Sequence, residues 1–345
     1  MSDTKKKISP VRVSLAIIVA IAAALLFASG LYTDFLWFDQ LGFAKVFTTQ
    51  ITAQAVSFVI AFLVSGLAVF FSLFAALKSR PIYARNFVEG DPLAAFRQLA
   101  EQVRKSAQIF LPLVVAVIAG LAAAAQWELG ATFFNHTYTG TTDAQFGLDV
   151  GFYLFDLPFY NFVTGFASTI ALLCLVIAVV THLAFGNIRF NGRSSTVAKA
   201  ARLQLALTAA AFLLIQAATL WLDQYATMTS DAGLFTGATY SDVNAAIPSF
   251  QILALIAVVV TILFLVTAVI GRWRLALVGT GLMVVSSIIL AGVFPWVVQT
   301  FQVVPNERTL EAEFIKRNID ATRIAYGLDG IDDVDYQAKT DAEAG

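Results

Sequence analysis

Residues 149–160 read DVGFYLFDLPFY. Asp149 and Asp156 stand there among Phe152, Tyr153, Phe155, Phe159 and Tyr160, and the stretch holds no Lys or Arg. Rings with polar edges suit the headgroup level of a bilayer, and Pro158 fits the first turn of a helix, where a missing N–H has no partner to lose. The stretch is an acidic, aromatic loop turning into a membrane span. Outward from it in both directions lie long apolar runs.

The composition agrees. The 345 residues are 59% hydrophobic and 13% charged, and the mean hydropathy is +0.77, which excludes an ordinary soluble globule. Seven runs are long enough to cross the hydrocarbon at about 1.5 Å per residue: about 13–31, 52–77, 109–125, 159–183, 203–222, 250–270 and 275–298. The first is expected to be retained as a span. Its rival is a signal peptide, for Ala28 and Gly30 are small enough for a cleavage site, but the apolar core is longer than the usual h-region. Two stripes of small residues, Ala16, Ala20, Ala24 and Ala28 in span one and Ala116, Gly120 and Ala124 in span three, offer smooth faces for close helix packing.

The charges segregate by sign. With the N-terminus taken as cytoplasmic, the inner segments collect Lys5, Lys6, Lys7, Arg12, six basic residues from Lys78 to Lys105, four from Arg189 to Arg202, and Arg272 with Arg274. The outer connections hold Lys45 alone. That excess of inner basic residues predicts an N-in, C-out arrangement, and Trp37, Trp127, Trp221 and Trp296 then all fall at outer ends.

Between spans two and three, Asp91 and Pro92 form a helix start, N-cap followed by N1. Leu93, Phe96, Leu99, Ala100 and Val103 repeat at helical spacing after them, with Arg97, Arg104 and Lys105 elsewhere on the wheel. This predicts an amphipathic helix on the inner membrane surface; a solvated connector is the bland alternative. The basic loop after span four carries an Asn191-Gly192 turn. Beyond span seven, residues 308–326 have helical composition, with Leu310, Phe314, Ile315 and Ile319 as candidate buried positions and Gly327 placed to cap the end. Pro305 is expected to hold Val304 extended, so that Asn306 and Glu307 start the outer helix from a stiff elbow. The tail, with Asp329, Asp332, Asp333, Asp335, Asp341 and Glu343, is too short and acidic to fold alone.

The expected fold class is therefore all-α: a multi-pass cell-membrane protein with a cytoplasmic N-terminus over 1–12, a seven-span membrane domain over 13–298, and an extracytoplasmic helix and acidic tail over 299–345. DVGFYLFDLPFY, together with FQVVPNE and FIKRNIDATRIAYGLD, resembles a large uncharacterised family of actinobacterial membrane proteins with a seven-span N-terminal part. The three motifs occur in the family's order, and the resemblance covers essentially the whole chain. Members of that family continue into an extracytoplasmic region longer than this chain, which implies that the sequence is an N-terminal piece or a truncated copy, and the resemblance brings no activity with it. The chain departs from the pattern at Asp143-Ala144-Gln145-Phe146, where Asp-Pro is expected before the Phe.

No glycine-rich phosphate loop, Cys-x-x-Cys or His-Glu-x-x-His motif occurs in the sequence. Cys174 is the only cysteine, placed in an apolar run as a small buried residue. His136 and His182 fall at opposite membrane faces and cannot share a metal; each is expected at a surface or interface. The span centres hold no ionisable residue, only Gln54, Gln216 and a few Ser and Thr, which suit interhelical hydrogen bonds better than a proton pathway. An outer acidic set remains: Asp34, Asp39, Glu128, Asp143, Asp149, Asp156, Asp223, Asp231 and Asp242. Clustered, these could hold a divalent ion; the bland alternative is that topology and solvation alone place them outside.

No catalytic, cofactor-binding or metal-ligating residue is assigned, and no cofactor. The expected partners are the lipid bilayer and an extracytoplasmic domain or envelope protein, with no nucleic acid. The first functional expectation is a noncatalytic module that anchors and positions an extracytoplasmic region, with residues 126–160 and 302–327 as its docking surface. The alternatives are a transporter or channel through the bundle, and a metal-assisted envelope transferase using the outer carboxylates.

Overall fold

The computed structural model describes residues 10–79, 94–191, 194–231, 235–331 and 334. Lys5 to Lys7, Arg80, Arg85, Asp91, Pro92, Leu93, Gly192, Arg193 and the acidic positions Asp332, Asp333, Asp335, Asp341 and Glu343 lie outside them. The chain is almost entirely helical. Among the described residues, seven helical stretches are long and apolar enough to cross a membrane: Val13–Gln40, Ala44–Lys78, Gln98–Ala125, Phe152–Ala184, Lys199–Thr229, Asp242–Ile270 and Trp273–Leu310. Each overlaps an expected span and outruns it. Hydropathy marks only the hydrocarbon crossing, whereas a helix once begun continues until a residue stops it.

The helices are α1 (Pro10–Gln40), α2 (Ala44–Lys78), α3 (Ala94–Ala125), the short α4 (Trp127–Asn135), α5 (Leu157–Ala184), α6 (Lys199–Ala226), α7 (Ile247–Ile270), α8 (Trp273–Ser287), α9 (Phe294–Val297), α10 (Glu307–Leu310) and α11 (Ala312–Ala325). One core joins α2, α3 and α5 through Val69, Leu73, Leu77, Ala119, Ile170 and Cys174. A second joins α6, α7 and α8 through Ala206, Ala210, Val260, Phe264 and Ala276. Packing of α5 on α6 unites them, while α1 leans on α2 at the edge. The small-residue stripe of α3 is used: Ala116 is 1% exposed, and a Cβ on Gly120 would come within 2.8 Å of the Phe58 ring. In span one, by contrast, Ala24 and Ala28 are exposed.

Among the described residues, four π-helical turns interrupt the spans, over Phe152–Asp156, Asp242–Ala246, Ile288–Val293 and Val298–Val303. A proline follows each, two residues after its end: Pro158, Pro248, Pro295 and Pro305. A proline inside a helix lacks one N–H and its ring collides with the carbonyl four residues back; widening the preceding turn to i→i+5 bonding opens room for that ring. Pro158 does stand in the first turn of α5, but helical backbone already begins at Val150.

The structure differs from the expected elements in places and adds to them in one. The amphipathic segment is no separate surface helix; it is the first part of α3, which runs unbroken through Pro112. Nothing in Arg104-Lys105-Ser106-Ala107-Gln108 stops a helix. The basic loop before α6 carries a two-stranded antiparallel hairpin, β1 (Ile188–Asn191) with β2 (Ser194–Val197), paired from Ile188↔Val197 to Asn191↔Ser194; its β-branched and aromatic residues favour strands. The elbow after span seven is not extended either. Val304 is helical at φ −51 and ψ −43, the chain continues through a 3₁₀ turn into α10, and Asn306 makes no side-chain cap bond. Gly327 does cap α11, at φ +65, with Leu328 N–H donating to Arg323 O at 2.7 Å, as a helix end in the left-handed conformation requires.

Candidate docking surface at the acidic end

The loop that leads to DVGFYLFDLPFY is shaped by its own carboxylates. Asp143 accepts hydrogen bonds from the N–H groups of Gln145, Phe146 and Leu148 at 2.7, 2.6 and 2.8 Å and from the Tyr153 hydroxyl at 2.9 Å. Asp149 accepts from Gly151 N–H at 2.7 Å, Gly140 N–H at 2.7 Å, and both N–H and hydroxyl of Thr139 at 3.1 Å. Burial pulls the Asp149 carboxyl up, but these donors together hold it below the usual carboxylate range. Phe146 and Phe152 then pack on Tyr225, with ring centroids 4.8 and 5.3 Å away. The loop is thereby fastened to the end of α6.

At the end of α4, His136 donates from Nδ1 to Phe133 O at 2.9 Å. Its ring stacks on Phe155 at 5.1 Å, and its Nε2 faces Asp156 Oδ1 at 3.6 Å, both side chains 8% exposed. This is no surface residue. Neither is His182, which is wholly buried: its Nε2–H donates to Gln204 Oε1 at 3.0 Å and its Nδ1 accepts from Asn187 Nδ2 at 2.9 Å, the tautomer assigned from those partners. Gln204 in turn donates to Ser72 O at 2.7 Å, so the histidine ties α5 to α6 and α2. The rest of α5 separates the two imidazoles, about 39 Å from Asp156 to His182 at 1.5 Å per residue. Gln216 is likewise an interhelical partner, accepting from Ser168 Oγ at 2.8 Å.

The outer carboxylates go separate ways. Asp34 and Asp39 are exposed on the last turns of α1 and Glu128 is exposed on α4, while Asp242 accepts from Thr239 N–H and hydroxyl at 2.9 and 2.8 Å. Among the described residues no three His, Cys, Asp or Glu side chains stand where one metal ion could hold them. The convergence a metal-assisted transferase needs is not among them.

What does converge is the segment beyond span seven. Glu311, between α10 and α11, is 2% exposed, and both its oxygens accept the Tyr240 N–H, at 3.2 and 3.1 Å. Burial pushes its carboxyl up, the Tyr240 N–H pulls it down, and the charges of Asp242 and Glu307 raise it further; the net direction is upward. Phe314 is buried edge-on against the Tyr240 ring, centroids 6.2 Å apart. The Ser241 hydroxyl donates to Gln299 Oε1 at 2.5 Å and Gln302 Nε2 to the Tyr240 hydroxyl at 3.0 Å. Along α11, Asn318 donates to Thr236 O at 2.7 Å and Arg317 to Gln145 Oε1 at 3.2 Å; Arg317 also pairs with Glu313.

Residues 126–160 and 302–327 thus meet, through Gln145 and Arg317. The larger share of the contact falls on residues 236–242, which sequence reading singled out only for Asp242. A signal was there: Leu157-Pro158 and Ile247-Pro248 each pair an aliphatic residue with a proline, and the five residues before each pair form a π-helical turn entering a span.

Residues 11–345 match the model of an uncharacterised protein family, UPF0182. This chain belongs to the UPF0182 family. It is 44% identical over 339 residues to a UPF0182 protein of Clavibacter sepedonicus, covering 98% of this chain and 35% of that protein. The UPF0182 protein of Paenarthrobacter aurescens is 43% identical over 330 residues, 95% of this chain and 33% of the relative. That of Leifsonia xyli subsp. xyli is 43% identical over 335 residues, 96% and 34%. The chain spans about a third of the length of the curated UPF0182 relatives it matches. No solved structure matches it.

Proposed function

We propose that this chain is a noncatalytic membrane module that anchors an extracytoplasmic region in the cell envelope and sets how that region stands over the bilayer. The observation that carries the reading is the contact of Glu311 with Tyr240. It fastens the segment leaving span seven to the loop between α6 and α7, so whatever follows α11 inherits the orientation of the bundle. The relatives' greater length supplies something to orient. By the inward excess of Lys and Arg, the acidic end faces outward and both the N-terminus and the basic loops face the cytoplasm. Gln216, which a transport path would need free, is engaged with Ser168 between α5 and α6.

The reading predicts that α11 resists proteolysis only while docked. In membrane vesicles with the acidic end accessible, trypsin cleavage at Arg317 and Arg323 is expected to be slow in the wild type and fast in Glu311→Ala and Phe314→Ala, with all variants inserted. Cleavage of the wild type as fast as of both variants would sink the docking role.

A further inference from the structure

At the opposite, basic end, Gly271 closes α7 in the left-handed region at φ +83. A Cβ there would run into the Arg202 side chain, coming within 2.8 Å of Cζ and 3.4 Å of Nε. The guanidinium therefore lies across the α7–α8 turn, in space that only glycine leaves open. Arg202 Nε is buried without a hydrogen-bond partner, and no carboxylate among the described residues forms an ion pair with the head. Two residues past Gly271, Trp273 Nε1 is buried and unpartnered in the same way. Its ring packs on the cluster containing Ala206, one helical turn from Arg202. Arg272 and Arg274 flank it, both exposed.

These groups are donors only: a guanidinium is always charged, and neither it nor an indole N–H can accept a hydrogen bond. Buried donors without acceptors carry a desolvation penalty that an acceptor-only ligand relieves. The α7–α8 turn, where these groups lie, joins two helices long and apolar enough to cross a membrane; a turn between two such helices belongs at headgroup depth, where phosphate oxygens are the acceptors at hand. Phosphate also suits the planar donor fork of arginine. We propose that Arg202 and Trp273 form a phosphate site between α6 and the α7–α8 turn, occupied by the phosphate of an anionic phospholipid headgroup. The site is independent of the docked helix at the other end of the bundle.

Native mass spectrometry of the purified protein with added phosphatidylglycerol tests this, with phosphatidylcholine as the zwitterionic comparison. The wild type is expected to retain one phosphatidylglycerol in preference to phosphatidylcholine. Arg202→Gln is expected to bind it about tenfold more weakly or worse, the loss of one charge-assisted contact. Trp273→Phe, which removes only the N–H, should weaken it less, and the exposed Arg274→Gln hardly at all. Displacement of the retained lipid by inorganic phosphate assigns the anion site to a free ion; its persistence assigns it to the headgroup. Equal retention by wild type, Trp273→Phe and Arg202→Gln overturns the site, and should Arg202→Gln fail to fold, Trp273→Phe decides alone.

Discussion

Both carboxylate oxygens of Glu311 take the Tyr240 N–H, across 71 residues of sequence. Glu311→Ala leaves that N–H in a buried pocket without an acceptor, at a cost of about 1–3 kcal/mol to the contact. Glu311→Gln keeps a carbonyl oxygen there and is expected to hold it. Hydrogen exchange at the Tyr240 amide separates the two, fast in the alanine variant and near wild type in the glutamine variant.

The same residue makes docking pH-dependent, with a sign that follows from its raised folded-state value. A carboxyl that binds its proton more tightly when folded favours the folded state most at low pH, and that contribution fades as pH rises from the ordinary glutamate range through the raised value. Protection of the Tyr240 amide, taken relative to its intrinsic exchange rate at each pH, should therefore rise when pH is lowered from about 7 to about 5, and Glu311→Gln should flatten that response. Lower protection on acidification in the wild type would contradict the assignment.

Asp149 works in the other direction. Its carboxyl is held below the usual range, so its contribution is present above the ordinary aspartate value and is lost as pH falls through the depressed one. Acidification below that range should loosen residues 139–151 while the Glu311 contact holds. Asp149→Asn keeps one acceptor oxygen, on which Thr139 and Gly151 N–H converge, and should free the Gly140 amide, which bonds the other, at neutral pH, read as faster hydrogen exchange at Gly140 than at Thr139.

His182 is structural. Replacing it with Leu strands Gln204 Oε1 and Asn187 Nδ2, two buried groups that lose their partner, and is expected to cost about 2–4 kcal/mol. The melting temperature of the purified protein should drop accordingly. An unshifted transition would mean that the network relaxes around the vacancy.

Orientation can be read from accessibility. Cysteines at Thr141 and Thr229, both exposed at the acidic end, should react with an impermeant thiol reagent on intact cells, and one at Ser195 should not. Labelling at Ser195 alone would invert the arrangement.

The seven spans, the sign of each loop, the start of α5 at Pro158 and the cap at Gly327 were legible because each is a local property. Some twenty apolar residues in a row leave a backbone no option in lipid but to satisfy its own hydrogen bonds, and a glycine after a helix takes the left-handed conformation wherever it stands. The continuity of α3 past its charged first turns and through Pro112, and the burial of both histidine side chains, depend on what lies alongside. So does the docked helix: Arg317 meets Gln145 across 172 residues, and Glu311, an unremarked acid in a polar segment, becomes a buried anchor only because the fold delivers Tyr240 to it. Hydropathy alone determined that this chain is built from helices long and apolar enough to cross a membrane. Where its polar groups find partners was decided by tertiary structure, because a desolvated hydrogen bond is a property of two residues brought together and is written in neither one.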